Sequence, residues 1–243
     1  MSFQPERALS FGSAAKLYDE ARPTYPAQFV QWALTDLPDN PKVLDLAAGT
    51  GKLTRVLHEY VTDVVAVEPD PGMREQFAAA SPNIPILEGK DTSIPLPDSS
   101  VDAAFVAQAW HWFDAAAASA EILRVLRPGG VLVIAWNVKD DSIGWVRDYC
   151  DLFEIGARAS LPRRTPEVAW GVAQQRDFPW SQQRTVEQLV DLALSTSWSL
   201  SLPQSARRVV AEKIREQLRA LPGAESELEL PYITQASRFV APV

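Results

Sequence analysis

One short stretch of the chain combines an acidic residue with two closely spaced glycines, and it reads Asp45-Leu-Ala-Ala-Gly-Thr-Gly51. Apolar residues precede it and a helix-like pattern follows, so we expect the chain to turn here from a strand into a helix. Small residues at such a turn let a ligand approach the backbone, and the start of the next helix offers N–H groups to it. The turn predicts a ligand site, although an ordinary tight turn would use the same residue types.

A second acidic residue, Glu68, closes the next apolar run along the chain. A carboxylate at the end of the second strand of such a unit can accept hydrogen bonds from the hydroxyls of a ribose. The alternative is a solvated acid at a strand end. Together, the glycine turn and Glu68 predict a ligand that contains a nucleoside.

Two observations bear on whether that ligand is a nicotinamide dinucleotide. The dinucleotide fingerprint places a third glycine three residues after the second one, where this chain has Thr54. Asp45 would also face a doubly negative pyrophosphate, whereas it suits a ligand that carries an ammonium group. A cationic adenosine ligand is therefore favoured over a dinucleotide.

The elements that must position these residues follow from alternating apolar runs and helix-like stretches, a pattern typical of repeated βαβ units. The patterns predict strands at 42–46, 64–67, 84–87, 101–106, 131–136 and 228–240 and helices at 14–18, 27–37, 52–60, 71–80, 115–126, 143–157, 185–194 and 204–221. Pro85 places the third strand at a sheet edge, because proline cannot donate to a strand ladder. Residues 94–100 are predicted to be a loop and 127–130 a turn, and residues 160–180 an irregular segment that could cover a substrate pocket.

Composition narrows the class of protein. The chain has 243 residues, of which 47% are hydrophobic and 22% charged, so it can form one α/β domain with a large core. A formal charge of −8 argues against nucleic-acid binding, and no apolar run is long enough to span a bilayer. With one cysteine and two histidines, a metal site is not expected. These features predict a cytoplasmic enzyme, and they carry no signal for oligomeric state.

Five motifs in order then resemble the class I S-adenosylmethionine-dependent methyltransferases (the methyltransferase type 11 domain), in the branch that contains trans-aconitate methyltransferase-like enzymes. The matching segments are VLDLAAGTG at 43–51, VAVEPD at 65–70 with Met73, GKDTSIPLPD at 89–98, AQAWHWFD at 107–114 and EILRVLRPGG at 121–130. The resemblance implies a Rossmann-like, doubly wound α/β fold with a seven-stranded, mostly parallel sheet, N-terminal helices and a substrate-side insert after strand 5. Within a single domain of residues 1–243, it divides the chain into a helical cap at 1–38, a cofactor-binding core at 39–138 and a remainder at 139–243 that holds the insert and the C-terminal strands.

The resemblance also implies roles for individual residues around S-adenosyl-L-methionine. The residues that it assigns to cofactor binding are Tyr18, Arg22, Asp45, Ala47, Gly49, Gly51, Glu68, Pro69, Met73, Asp91 and Gln108. Asp45 and the glycine turn would hold the methionine part, Glu68 the ribose, and Pro69 with Met73 the adenine. Relatives often carry an acid near the adenine amine where this chain has Lys90 or Thr92, so Asp91 is expected to substitute. Tyr18 and Arg22 resemble a segment that covers the cofactor, although Arg22 could merely anchor the first helix.

The expected reaction transfers a methyl group to a small-molecule acceptor, which could be a carboxylate as in the resembled trans-aconitate enzymes. A carboxylate needs no general base, whereas a protonated acceptor would, and His111 is the candidate base because imidazole titrates near neutrality. His111 could instead order its loop. Two other classes stay open: a non-catalytic S-adenosylmethionine-binding protein and, less favoured, a nicotinamide-dependent oxidoreductase.

Overall fold

The short apolar runs of the sequence pair into one seven-stranded sheet in the computed structural model, which describes residues 15–153 and 166–243. The strands are β1 (Lys42–Leu46), β2 (Asp63–Val67), β3 (Ile86–Leu87), β4 (Val101–Ala107), β5 (Leu126–Lys139), β6 (Gln174–Arg184) and β7 (Leu228–Val240). Their order across the sheet is β3-β2-β1-β4-β5-β7-β6. β1 to β5 pair in parallel, and β7 runs antiparallel to both of its neighbours. This sheet confirms the predicted doubly wound, mostly parallel architecture.

Helices connect these strands, and most begin and end close to the predicted limits. The helices are α1 (Ala15–Ala21), α2 (Ala27–Ala33), α3 (Lys52–His58), α4 (Pro71–Ala80), α5 (Ala115–Val125), α6 (Gly144–Asp151), α7 (Val186–Leu194), α8 (Ser197–Leu200) and α9 (Gln204–Arg219). Side-chain caps explain several starts: the Asp70 carboxylate accepts from the Met73 N–H at 2.9 Å, and Thr185 with Gln188 forms a capping box. The predicted helix at 143–157 is observed to Asp151, and its residues from 154 lie outside the described part.

Both faces of the sheet are covered, which explains why its central strands are apolar throughout. Residues on one face, such as Val43 and Phe105, pack against α2, α3 and α4, whereas their alternating neighbours, such as Leu44, pack against α5. Phe29 of α2 meets Phe105 edge-on, with ring centroids 6.4 Å apart. We call the side that carries α2 and α3 the front face. Because side chains alternate along a strand, Asp45 shares the front face with Val43.

A third core joins α6, α7 and α9 to the first half of β7. In it the Tyr149 hydroxyl donates to the Leu189 carbonyl at 2.6 Å. Of the expected insert after strand 5, α6 does follow β5, while the larger group of helices, α7 to α9, lies between β6 and β7.

Two local predictions are wrong. The turn predicted at 127–130 belongs to β5, where Gly129 has a φ of +74° and the pairing with β4 shifts register between Val101 and Ala103. The segment predicted to be irregular at 160–180 contains the first part of β6, from Gln174; its residues up to 165 lie outside the described part. Pro179 favoured the prediction of an irregular segment, because proline cannot donate to a strand ladder. β6 is an edge strand, where a proline is tolerated.

The edge position predicted for the third strand is confirmed, since β3 lies at the other end of the sheet. Among the helices of residues 15–153 and 166–243, none combines the length and apolar character that a membrane crossing requires.

Candidate functional site

The glycine turn after β1 adopts a backbone that few residue types accept. Ala47, Gly49 and Gly51 all have positive φ, at 57°, 57° and 86°. The Gly51 N–H donates to the Ala48 carbonyl at 2.9 Å, and Gly51 then caps the start of α3. We call residues 47–51 the glycine loop. A Cβ on Gly51 would lie 2.6 Å from the ring of Phe77, so glycine is required there both for its φ and for space.

Glu68 ties this loop to the end of β2. One carboxylate oxygen accepts from the Gly49 N–H at 2.9 Å and the other from the Asp70 N–H at 2.9 Å. The residue is only 6% exposed, and burial raises the pKa of Glu68 while these two backbone donors oppose the rise. Since a carboxylate has about four acceptor positions, each oxygen retains capacity for a ligand hydroxyl.

Asp45 is the most deeply buried acid of the site, at 1% exposed. The Thr54 hydroxyl donates to it at 2.5 Å. Burial raises the pKa of Asp45 to about 7; the hydrogen bond from Thr54 opposes the rise, and the negative charge of Glu68 adds to it. A carboxylate held in this state gains strongly from a cationic ligand, because the ligand would supply the opposite charge that its surroundings lack.

Asp45 and the glycine loop form one wall of a cleft with about 670 Å³ of empty space, part of it open to solvent. The cleft lies at the carboxyl ends of β1, β4 and β5, where open α/β sheets bind ligands. Its lining residues are Tyr18, Arg22, Pro23, Tyr25, Asp45, Ala47, Ala48, Gly49, Thr50, Lys52, Leu53, Ala107, Gln108, Asn137, Lys139, Leu192 and Tyr232.

Sequence comparisons identify the family of the chain. A family model described as a methyltransferase domain matches residues 44–134. An uncharacterized methyltransferase of Mycobacterium bovis is 40% identical over 235 residues, which cover 96% of each chain. An uncharacterized methyltransferase-like protein of Schizosaccharomyces pombe is 32% identical over 232 residues, or 90% of each chain. The chain belongs to the methyltransferase family.

The fold of this methyltransferase is also that of solved structures. A proposed type II methyltransferase of Anaeromyxobacter dehalogenans superposes with a TM-score of 0.72 at 23% identity, covering 91% of this chain and 99% of the other. At that identity the likeness concerns the fold alone, and it agrees with the Rossmann-like sheet.

Of the predicted cofactor residues, six line the cleft of the methyltransferase: Tyr18, Arg22, Asp45, Ala47, Gly49 and Gln108. Gln108 follows β4 with a positive φ of 59°, and its amide donates to the Asn137 carbonyl at 3.2 Å. The Arg22 guanidinium lies 4.9 Å from the centroid of the Tyr18 ring and donates through Nη2 to the Ser195 carbonyl at 3.0 Å. Arg22 therefore anchors α1 to the end of α7 and at the same time faces the cleft.

The other predicted residues do not line the cleft. Gly51 and Glu68 act on it through the glycine loop, as described above. Met73 is buried in the first turn of α4, directly after Pro69 and the Asp70 cap. Asp91 is half-buried in the loop after β3, where desolvation raises the pKa of its carboxyl.

His111, the candidate base, lies in a short 3₁₀ turn (Trp110–Trp112) after β4. Its side chain is exposed and its ring centroid lies 4.7 Å from that of Trp112, outside the cleft lining. Desolvation lowers the pKa of His111 below its ordinary value. His111 therefore lies outside the lining of this cleft, and its role as a base stays a prediction.

Several residues of the cleft were not predicted from the sequence. Asn137 and Lys139 alternate with the apolar residues Trp136 and Val138 at the end of β5, and Tyr232 of β7 pairs directly with Lys139. Tyr25, which lines the cleft together with Asp45, is buried, and this burial raises the pKa of its hydroxyl well above the ordinary value. The alternation in β5 was a usable signal for Asn137 and Lys139. Tyr232 had none, because its partner strand is nearly 100 residues away.

A further unpredicted feature holds α1 on the glycine loop. The Asp19 carboxylate accepts from the Thr50 hydroxyl at 2.8 Å and from Arg55 Nη2 at 2.7 Å, and the Lys52 ammonium lies 3.9 Å away. We call these four residues the Asp19 latch. Among all the described residues, His, Cys, Asp and Glu form no group of three that could hold a metal ion.

Proposed function

We propose that this methyltransferase uses S-adenosyl-L-methionine and methylates a small-molecule acceptor in the cleft. The observation that carries the proposal is the buried Asp45 carboxylate at the wall of a cleft bounded by a left-handed glycine loop. When bound, S-adenosylmethionine would supply an activated methyl group on a sulfonium sulfur, together with an ammonium group that Asp45 can pair with. A nicotinamide dinucleotide offers no such cation near its pyrophosphate.

The chain's own residues would divide the binding as the motifs imply. Asp45 and the backbone of Ala47 and Gly49 suit the methionine part, because they line the cleft. Glu68 suits the ribose, since its oxygens keep acceptor capacity at the end of β2. The remaining assignments in the proposal are Pro69, Met73 and Asp91 around the adenine, Gly51 in shaping the loop, Gln108 at the methionine end, and Tyr18 with Arg22 as the cover.

The acceptor that we propose is a carboxylate. The cleft presents the cations of Arg22, Lys52 and Lys139, whereas Asp45 is the one carboxylate among its described lining residues. A carboxylate acceptor carries no proton that a base would have to remove, and bound S-adenosylmethionine would supply the activated methyl group together with its sulfur leaving group. Positioning and exclusion of water then suffice for catalysis, so the place of His111 outside the cleft is no obstacle. The resemblance to the trans-aconitate branch supports the same choice.

Calorimetric titration with S-adenosylmethionine, S-adenosylhomocysteine and NAD in parallel tests the cofactor. We expect micromolar binding of the first two and none of NAD. Binding of NAD alone, or of none of the three, would overturn the proposal.

The Glu68→Ala variant tests the ribose assignment. We expect S-adenosylmethionine binding to weaken by about 1.5–3 kcal/mol, the range for hydrogen bonds to a charged group. Glu75→Ala, which removes an exposed carboxylate from α4, is the matched control and should bind normally. An unchanged dissociation constant in folded Glu68→Ala protein would remove Glu68 from the site.

A further inference from the structure

Two buried hydrogen-bond donors in the cleft have no partner. Arg22 Nε and the Tyr232 hydroxyl make no hydrogen bond with any described residue, and both residues line the cleft. Trp136, Arg184, Arg207 and Arg238 also have a buried side-chain nitrogen without a partner, but none of these four lines the cleft. Because an unsatisfied buried polar group is unfavourable, such a group beside a cleft gains stability when a ligand atom there accepts its hydrogen bond.

The surroundings of both donors hold them in place. Tyr232 is 2% exposed, and its ring stacks on Trp180 with centroids 5.0 Å apart and an interplanar angle of 21°. Trp180 is fixed in turn, since its indole N–H donates to the Thr234 hydroxyl at 2.9 Å. Arg22 is held by the Tyr18 ring and the Ser195 carbonyl. Two donors fixed in this way can select a ligand by its shape and charge.

The charges around Tyr232 favour an anion. Burial raises the pKa of its hydroxyl, while the positive charges of Lys139, Arg184 and Arg22 all lie close enough to oppose the rise. Lys139 lies directly opposite Tyr232 in the β5–β7 pairing, on the front face. Asp45, the one carboxylate among the described lining residues, belongs to the wall that it forms with the glycine loop. We call this wall the cofactor wall, because the proposed function places the cofactor against it.

The reaction itself limits which anion these donors can serve. Methylation neutralises the carboxylate that attacks, so strong hydrogen bonds to that group would weaken as the transition state forms and would slow the reaction. Donors directed at a second anionic group keep their full strength, because its charge does not change. An anchoring role is therefore the productive use of Arg22 and Tyr232.

We propose that Arg22 and Tyr232 form an anchoring subsite for a carboxylate of the acceptor that is not itself methylated, and that Tyr232 determines specificity for acceptors carrying such a group. This inference rests on the proposed function, since it places the acceptor beside the cofactor wall. It assigns to the acceptor two carboxylates, one anchored and one methylated.

The test measures binding of small dicarboxylates of four to eight carbons, their monomethyl esters and their neutral diamides to protein saturated with S-adenosylhomocysteine. We expect at least one dicarboxylate and its monomethyl ester to bind the wild-type protein, and its diamide to fail. Tyr232→Phe should weaken binding of that dicarboxylate by roughly 10- to 100-fold, the range for a hydrogen bond to a charged group. The affinity of Tyr232→Phe for S-adenosylhomocysteine should equal that of the wild type.

Stability separates this role from a structural one. A structural tyrosine loses a hydrogen bond when it becomes phenylalanine, whereas Tyr232→Phe removes a hydroxyl without a partner among the described residues and should be at least as heat-stable as the wild type. Tyr60→Phe, which alters an exposed tyrosine after α3, is the control for both readouts. Arg22→Gln is a second variant for the same subsite. Because the proposed function also places Arg22 over the cofactor, its readout is the ratio of carboxylate to diamide affinity at saturating S-adenosylhomocysteine, and this ratio should fall.

Several results would overturn the subsite: equal binding of carboxylates and diamides, undiminished dicarboxylate binding by Tyr232→Phe, or no response of the wild type to any dicarboxylate. Failure of the wild type to bind S-adenosylhomocysteine would instead refute the proposed function. The two failures are therefore distinguishable.

Discussion

At the scale of single residues, the site depends on a buried carboxylate whose ionised form is unfavourable in the empty protein. Asp45 is buried at 1% exposure with one hydroxyl donor, and its pKa rises to about 7. Such a group destabilises the empty protein when ionised, and it becomes favourable once a cation reaches it. Buried acids with this property are typical of binding sites, because the unfavourable charge is compensated by the ligand.

Asp45→Asn tests that description through the pH dependence of stability. The carboxyl pKa is about 7 in the folded protein and about 3.9 in an unfolded chain. Between these values the native state binds more protons than the unfolded state, so the contribution of Asp45 to stability falls as pH rises. The unfolding free energy of Asp45→Asn minus that of the wild type should therefore increase by on the order of 2–4 kcal/mol from pH 4 to pH 8.

Urea unfolding of the ligand-free proteins at pH 4, 5.5 and 8 measures this gain. The same variant should lose S-adenosylmethionine binding, because asparagine cannot neutralise an ammonium group. A stability difference that does not change with pH would show that Asp45 is ionised in the folded protein throughout this range.

Gly51→Ala tests the shape of the glycine loop. Alanine is strained at the φ of +86°, and its Cβ would lie 2.6 Å from the Phe77 ring. Gly223→Ala is the matched control, since Gly223 has a φ of +85° and no heavy atom within 4 Å of the added Cβ. Gly51→Ala should lose about 1–3 kcal/mol more unfolding free energy than Gly223→Ala, the usual penalty of overpacking. Equal losses in urea unfolding would mean that backbone strain alone makes glycine necessary.

At the scale of elements, α1 covers the glycine loop although it is too short to be stable by itself. It has 7 residues, and isolated helices below about 12 residues are marginal in water. The Asp19 latch and the contact of Arg22 with Ser195 hold it against α3 and the end of α7. Entry of a ligand beneath α1 would therefore depend on these polar contacts.

Asp19→Ala should release this element. The latch joins Asp19 to a hydroxyl and a guanidinium that are both partly buried. Its loss should therefore lower the free energy of local unfolding of α1 by about 1–2 kcal/mol. Amide hydrogen exchange of residues 15–21 should then quicken by about 5- to 30-fold, while β1 and β4 exchange as before. Glu20→Ala removes an exposed carboxylate of the same helix and is the control. Unchanged exchange in Asp19→Ala would show that apolar packing alone holds α1.

Local sequence signals explain which helices and strands were predicted accurately. β1, α4 and β7 end at or within one residue of the predicted limits, because each has a clear apolar period or a proline start and an Asp cap. β6 was missed, because 9 of its 11 residues are not buried and an edge strand has no regular apolar pattern. The β5 start was misplaced, because a Pro-Gly-Gly sequence predicts a turn wherever no partner strand is known.

At the scale of the whole molecule, the site is a product of the order of the strands. Asp45, Asn137 and Lys139 lie on the front face, and the parallel pairing brings their strands to a common edge. β7 then returns antiparallel and places Tyr232 opposite Lys139. The residues of the cofactor wall and those of the proposed anchoring subsite thus line one cleft, and methyl transfer between two bound molecules requires such proximity.

The net charge of −8 belongs to the same scale. An excess of acidic residues is unfavourable for binding nucleic acid, and the absence of such a partner stays a prediction from composition. The small-molecule acceptor and the cytoplasmic location stay predictions from composition.

The sequence by itself determined the βαβ pattern, the glycine turn, and Asp45 and Glu68 as its acidic partners, because these depend on neighbours within a few residues or on a motif of fixed spacing. Only the tertiary structure decided that His111 lies outside the cleft and that Tyr25, Lys139 and Tyr232 line it. The same holds for the Asp19 latch, whose partners come from two separate elements. The physical reason is that strand pairing and helix docking bring together residues far apart in the chain, and the local periodicity of a sequence does not record which strand pairs with which.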